Sequence, residues 1–143
     1  MTKHSRLAVV LACVAALGCS SAVAVAAEGP TDIKVTAAPT LTAGQKAPFD
    51  APGVKAIRRG KAIPRGYRLI GQQVDITRGA RTAGAALTFR CPRGTAIRTF
   101  GIVGNAGFAA ADRNYAGHRQ TTVFSFAPPR LAHATGTVYA VCR

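Results

Sequence analysis

The chain has 143 residues, a length that allows one domain plus extensions. It carries 19 Lys and Arg side chains against 5 Asp and Glu, which gives a formal net charge of +14. A charge of this size bears on partners and solubility and does not select a fold. The shortage of acidic side chains weighs against an active site built on paired carboxylates.

The first 27 residues have the composition of a secretory signal peptide. Basic residues at positions 3–6 precede an apolar run over residues 7–17, and small residues then offer cleavage sites after Ala26 or Ala27. A retained membrane anchor is the alternative, but the run stops short of the roughly 20 apolar residues that a spanning helix needs. Removal of this segment takes away two of the 19 basic residues and leaves a mature chain with a net charge of +12. The sequence therefore predicts export and no membrane span in the mature chain.

A lipid anchor at Cys19 is the alternative to soluble export. The tetrapeptide ALGC at residues 16–19 resembles the lipobox of bacterial lipoproteins, in which the cysteine is acylated. Ala16 stands where that motif usually has leucine, and the later small-residue stretch already offers a cleavage site. A secreted, extracellular protein is therefore favoured over an envelope-anchored form.

Residues 28–66 differ in composition from the rest of the mature chain. Proline recurs there with glycine, threonine and alanine, and the apolar residues follow no regular period. Such a composition predicts an extended, Pro-rich basic linker or arm ahead of the folded domain.

The arm contains an internal repeat, because residues 55–66 read KAIRRGKAIPRG, nearly the same hexapeptide twice. Its glycines and proline oppose a stable helix, so the segment predicts a flexible basic strip that attracts polyanions. The candidate polyanion-binding residues are Lys55, Arg58, Arg59, Lys61 and Arg65. The alternative is that this charge only keeps an apolar chain soluble.

Residues 67–143 consist of short runs rich in Val, Ile, Thr, Phe and Tyr, separated by Gly, Pro and Asn. They predict an all-β domain, a small antiparallel β-sandwich, with a closed barrel as the alternative. Two cysteines, Cys91 and Cys142, lie beyond the leader, and an even pair in an oxidising compartment predicts one disulfide. Side-chain alternation places each on an apolar strand face, so the bridge would join two faces across a core.

The connection over residues 111–120 has the composition of a recognition loop, since tyrosine and arginine are enriched at binding hot spots. The candidate protein-binding residues are Arg113, Tyr115, His118 and Arg119. The structural alternative is a solvated connection whose Tyr115 folds back onto the edge of the sandwich.

Catalytic groups are scarce in the mature chain, where Ser125 is the only serine. It lies inside a strand pattern and lacks the turn that exposes a nucleophile. His118 and His133, with Asp75 or Asp112, show no spacing typical of a triad or a metal site. The prediction is a protein that is not an enzyme, with no catalytic residue, no metal and no cofactor.

Three phrases between residues 90 and 143, RCPRGTAIRTFG, DRNYAGHRQ and GTVYAVCR, carry a family resemblance. They look like those of small secreted bacterial proteins of unknown function with a disulfide-bridged β domain. The resemblance covers roughly residues 88–143. It implies export, a disulfide and an all-β fold, and it implies no catalytic residue.

Together these features predict a secreted, non-enzymatic β-module that associates with anionic material through its basic arm. An anionic cell-wall polymer, an anionic lipid surface or another extracellular polymer would fit, whereas the strip has no aromatic residue for stacking the bases of nucleic acid. The alternative is a secreted inhibitor that presents the loop of residues 111–120 to a protein. A small secreted hydrolase is the third and less favoured class.

Overall fold

The structure is a computed structural model that describes residues 23–25, 32–78, 84–110 and 114–143. Most of the predicted signal peptide therefore lies outside the described residues, including Cys19 and both cleavage sites. Asp112 and Arg113 of the predicted recognition loop lie outside them as well.

The described residues form eight β-strands and no helix. The strands are β1 (Val23–Val25), β2 (Asp32–Leu41), β3 (Arg68–Thr77), β4 (Gly84–Arg90), β5 (Ile97–Gly104), β6 (Gly107–Ala110), β7 (Gln120–Phe126) and β8 (His133–Cys142). All pairings between them are antiparallel. The first sheet has the order β1-β4-β7-β6, and the second sheet has the order β2-β3-β8-β5.

The two sheets pack face to face through side chains that alternate along their strands. In β4, Ala85, Leu87 and Phe89 are buried, and the residues between them are more exposed. In β8, Val138 and Ala140 belong to the same buried cluster. The predicted all-β sandwich is therefore confirmed. The strands form two separate sheets and do not close into the barrel that was the alternative.

The predicted disulfide between Cys91 and Cys142 is present, with 5.7 Å between the two Cα atoms. Cys91 directly follows β4 of the first sheet, and Cys142 is the last residue of β8 in the second sheet. Both cysteines are buried in the cluster between the sheets. The bridge therefore joins the two layers at one end of the sandwich.

Residues 32–66 differ from the extended arm that their composition predicts. The first ten form β2, which pairs with β3. The rest cover the outer face of the second sheet, where Leu69, Tyr139 and Val141 complete a second buried cluster. Within this cover, hydrogen bonds join the segment around residues 45–47 to the segment around residues 61–63. The amide of Ala47 donates to the carbonyl of Lys61 at 2.8 Å, and the amide of Ile63 donates to the carbonyl of Gln45 at 2.8 Å. The folded unit therefore starts well before residue 67.

Two aromatic side chains, one from the cover and one from the second sheet itself, pack over glycines on the outer face of that sheet. A Cβ atom added at Gly101 would lie 2.0 Å from a ring carbon of Phe49, and one added at Gly71 would lie 2.7 Å from a ring carbon of Tyr139. Phe49 and Tyr139 also contact each other, with 5.8 Å between ring centroids. The second sheet is thus buried on both faces at this end, and residues 42–66 form a third layer.

Candidate anion-binding surface

The repeat in the sequence is also a repeat in the structure. Ile57 and Ile63, the third residues of the two hexapeptides, are 1% and 2% exposed in the second cluster. After each isoleucine the chain turns on a glycine with positive φ, 76° at Gly60 and 84° at Gly66. Such φ values suit the third position of a type II turn, where glycine costs no steric strain.

Both turns are closed by a hydrogen bond between the first and fourth residues. The amide of Lys61 donates to the carbonyl of Arg58 at 3.0 Å, and the amide of Tyr67 donates to that of Pro64 at 3.3 Å. Arg58 and Pro64 occupy the same position in the two copies, which explains why their exchange leaves the fold of the repeat unchanged.

This arrangement holds the basic side chains at the surface. All five predicted polyanion-binding residues, Lys55, Arg58, Arg59, Lys61 and Arg65, are exposed. We call these five residues the basic strip. The structure anchors the segment that carries them through the buried Ile57 and Ile63, whereas the sequence predicted a flexible strip.

Negative charge is scarce beside the basic strip. Three carboxylates lie within the described residues, and Asp50 is the one in the cover, where it accepts a hydrogen bond from the backbone amide of Arg59 at 3.1 Å. Asp32 lies 3.6 Å from the ammonium of Lys34, and Asp75 lies 2.6 Å from Nε2 of His133. Both of those pairs are in β2, β3 and β8, away from the strip. Among the described side chains, the strip therefore keeps most of its positive charge uncompensated.

The described part of the predicted recognition loop is tied to the sandwich. Tyr115 is half-buried, and its ring packs edge-on against Phe100, with 4.9 Å between centroids. Arg119 donates through Nε to the carbonyl of Cys91 at 3.1 Å, and its own carbonyl accepts the amide of Cys91. His118 is exposed. Tyr115 thus folds back onto the sandwich, as the alternative to a recognition loop predicted. A role of this loop in protein binding stays a prediction.

Among the described residues considered for chemistry, Ser125 lies on a different sheet from the pair of His133 and Asp75. Ser125 is fully buried in β7 and donates to the carbonyl of Gly107 at 3.1 Å. His133 and Asp75 form their pair on the other sheet. Within the described ranges, no three His, Cys, Asp or Glu side chains group as metal ligands would. Burial raises the pKa of the Tyr139 hydroxyl above its ordinary value.

Sequence reasoning missed the role of the two isoleucines, although the signal was present. Both hexapeptides place isoleucine three residues before glycine, a spacing that buries one side chain and then turns the chain. It also missed Arg68, which follows Arg65 by three residues, and Arg93, which comes from a separate segment and lines the same cleft only in the folded chain.

The described residues include no helix of the length and apolarity that a membrane span requires. Comparison of the chain with protein-family models, with curated proteins and with solved structures found no match.

Proposed function

We propose that this protein is an exported, non-enzymatic β-module that associates with anionic cell-envelope or extracellular polymers through its basic strip. The observation that carries the proposal is the exposure of five cationic side chains on a segment anchored by Ile57 and Ile63. A solubilising role needs charge but no scaffold. An anchored strip of one sign concentrates positive potential on one part of the surface, where a polyanion can bind.

Binding of a polyanion to such a surface is driven largely by release of the polymer's counterions. Five contacts with a flexible anionic chain would give a slope of about −3 to −4 in a plot of log affinity against log salt concentration. Because the backbone of the strip is already ordered, less conformational entropy is lost on binding than with a flexible arm.

Export is the second part of the proposal and rests on residues 1–27. The Cys91–Cys142 disulfide is compatible with an extracellular location. Cleavage after Ala26 or Ala27 would also remove β1, which would leave β4 as an edge of the first sheet. Acylation at Cys19 would instead hold the same surface at the envelope.

The test is retention of the protein on immobilised polyphosphate across a salt series. A variant with Lys55, Arg58, Arg59 and Lys61 replaced by glutamine should bind more weakly, with the salt slope reduced in magnitude by about 3. The matched control removes four charges elsewhere, by Lys34→Gln, Arg90→Gln, Arg98→Gln and Arg130→Gln, and should change the slope by less than about 1. Equal loss of retention in the two variants would show that net charge alone attracts the polymer, and the proposal would then be wrong.

A further inference from the structure

A cleft of about 380 Å³ lies beside the basic strip, at the end of the sandwich where β3 begins. Its lining includes three arginines from two segments of the chain. Arg65 lies at the end of the repeat and Arg68 follows three residues later at the start of β3, whereas Arg93 lies in the turn after β4. Tyr67 forms part of its wall. No carboxylate side chain of the described residues lines it.

Two turns with the same sequence, Pro-Arg-Gly, at residues 64–66 and 92–94, both contribute to the lining of this cleft. Gly94 has φ of 78°, close to the 84° of Gly66, and the amide of Thr95 donates to the carbonyl of Pro92 at 3.1 Å. The second turn therefore repeats the geometry of the first. Each turn places its arginine at the second position, next to the glycine that reverses the chain.

The disulfide fixes the backbone segments that carry Arg68 and Arg93 relative to one another. Cys91 directly precedes the turn that carries Arg93, and Cys142 pairs across the sheet with Arg68. Tyr67, which forms part of the cleft wall, is also held in place. Arg143 donates to the Tyr67 hydroxyl at 3.0 Å, and its guanidinium carbon lies 4.9 Å from the centre of that ring.

The donor groups of the cleft are mostly guanidinium groups. The hydroxyl of Thr95 donates to the carbonyl of Pro92 at 2.9 Å, and that of Thr42 lies 3.3 Å from Oε1 of Gln45, so both are already engaged. No ion pair to another described side chain occupies Arg65, Arg68 or Arg93. Guanidinium groups bind phosphate oxygens through paired hydrogen bonds, which a single ammonium cannot reproduce.

We propose that this cleft binds a phosphate group carried on a small organic moiety, with Arg65, Arg68 and Arg93 as its ligands. The volume lies within the range of small-molecule sites, about 300–1,000 Å³, and exceeds what a bare phosphate ion fills. The Tyr67 wall supplies a surface for the attached carbon skeleton. The site shares Arg65 with the basic strip and otherwise stands apart from it, so it does not depend on polymer binding by the strip.

The test is a titration with glycerol 3-phosphate at constant ionic strength, followed by the amide NMR signals of the whole chain. The expected result is a saturable shift confined to the two Pro-Arg-Gly turns and the start of β3. Arg68→Gln with Arg93→Gln should weaken binding at least tenfold, because two charge-assisted contacts are lost. Arg68→Lys with Arg93→Lys keeps the charge and should still weaken binding, because the paired hydrogen bonds are lost.

The matched control is Lys34→Gln with Arg130→Gln, which removes two exposed charges from the opposite end of the sandwich and should change affinity less than twofold. Glycerol without phosphate should produce no shift. Shifts spread over the whole surface, or equal weakening by the control variant, would overturn the proposal.

The same titration separates this site from the basic strip. The variant with four glutamines at residues 55, 58, 59 and 61 should lose retention on polyphosphate and keep its affinity for glycerol 3-phosphate. Loss of both properties in that variant would assign the phosphate to the strip and contradict a separate cleft. A shift with polyphosphate but none with glycerol 3-phosphate would also contradict it, while leaving the proposed function in place.

Discussion

Replacement of Ile57 or Ile63 by alanine should lower the free energy of unfolding by about 2–5 kcal/mol for each residue. Both side chains are buried in the cluster that covers the second sheet, so truncation removes apolar contacts and leaves a cavity. The same cluster contains Leu69 and Val141 of β3 and β8, which couples the cover to the stability of the sandwich. Urea unfolding with the disulfide intact measures the loss.

Alanines next to these isoleucines provide the matched control. Ala56 and Ala62 precede Ile57 and Ile63 in the two hexapeptides and are exposed. Their replacement by serine should change the free energy of unfolding by no more than about 0.5 kcal/mol. If the isoleucine variants unfold like these controls, the segment is not packed on the sheet and the extended arm is the better description.

Removal of the disulfide is the second large effect, and it should cost about 4 kcal/mol in the chain-entropy treatment of a loop this long. The bridge joins residues separated by 51 positions and links the two sheets, so its loss frees the unfolded chain and loosens one end of the sandwich. Total stabilities of domains this size are about 5–15 kcal/mol, so the remaining fold would be marginal.

The variant for this measurement is Cys91→Ala with Cys142→Ala. Alanine is chosen over serine because serine would bury two unpaired hydroxyl groups. Its urea midpoint should fall well below that of the oxidised protein and should not respond to added reductant. When reductant is added, the urea midpoint of the wild-type protein should fall toward that of the variant. A loss of less than about 1 kcal/mol would mean that the bridge contributes little beyond the packing of the sheets.

The sandwich could be predicted from the sequence because its strands alternate. Leu87, Phe89 and Cys91 lie two residues apart, as do Val138 and Ala140, so the buried faces and the bridge between them follow from the period of a strand. The pairing order of the strands could not be predicted in this way, since alternation identifies a face but not its neighbour.

The cover of residues 42–66 could not be predicted by the same means. Its buried residues, among them Phe49, Ile57 and Ile63, follow neither the helical nor the strand period, because turns and not regular elements position them. Its prolines and glycines have the composition of a linker, yet Gly60 and Gly66 form turns that each return the chain to the sheet.

The candidate site was predicted in part. The charges of the strip are visible in the sequence, and their exposure follows from the burial of the isoleucines between them. The cleft was not predictable, since Arg68 and Arg93 lie 25 positions apart in the chain and line one cleft only after the sheets pack and the bridge forms.

The central claim is that the repeated hexapeptides are packed on the second sheet as part of the cover. Amide hydrogen exchange of residues 42–66 tests this claim most directly. The amides of Ala47, Gly60 and Ile63 each donate to a backbone carbonyl at 2.8 Å within the cover. They should exchange about 1,000-fold more slowly than in an unstructured chain, as expected for an opening free energy of about 4 kcal/mol. Exchange of these three amides at unstructured rates, with Val138 of β8 still protected, would contradict the account and restore a flexible basic arm.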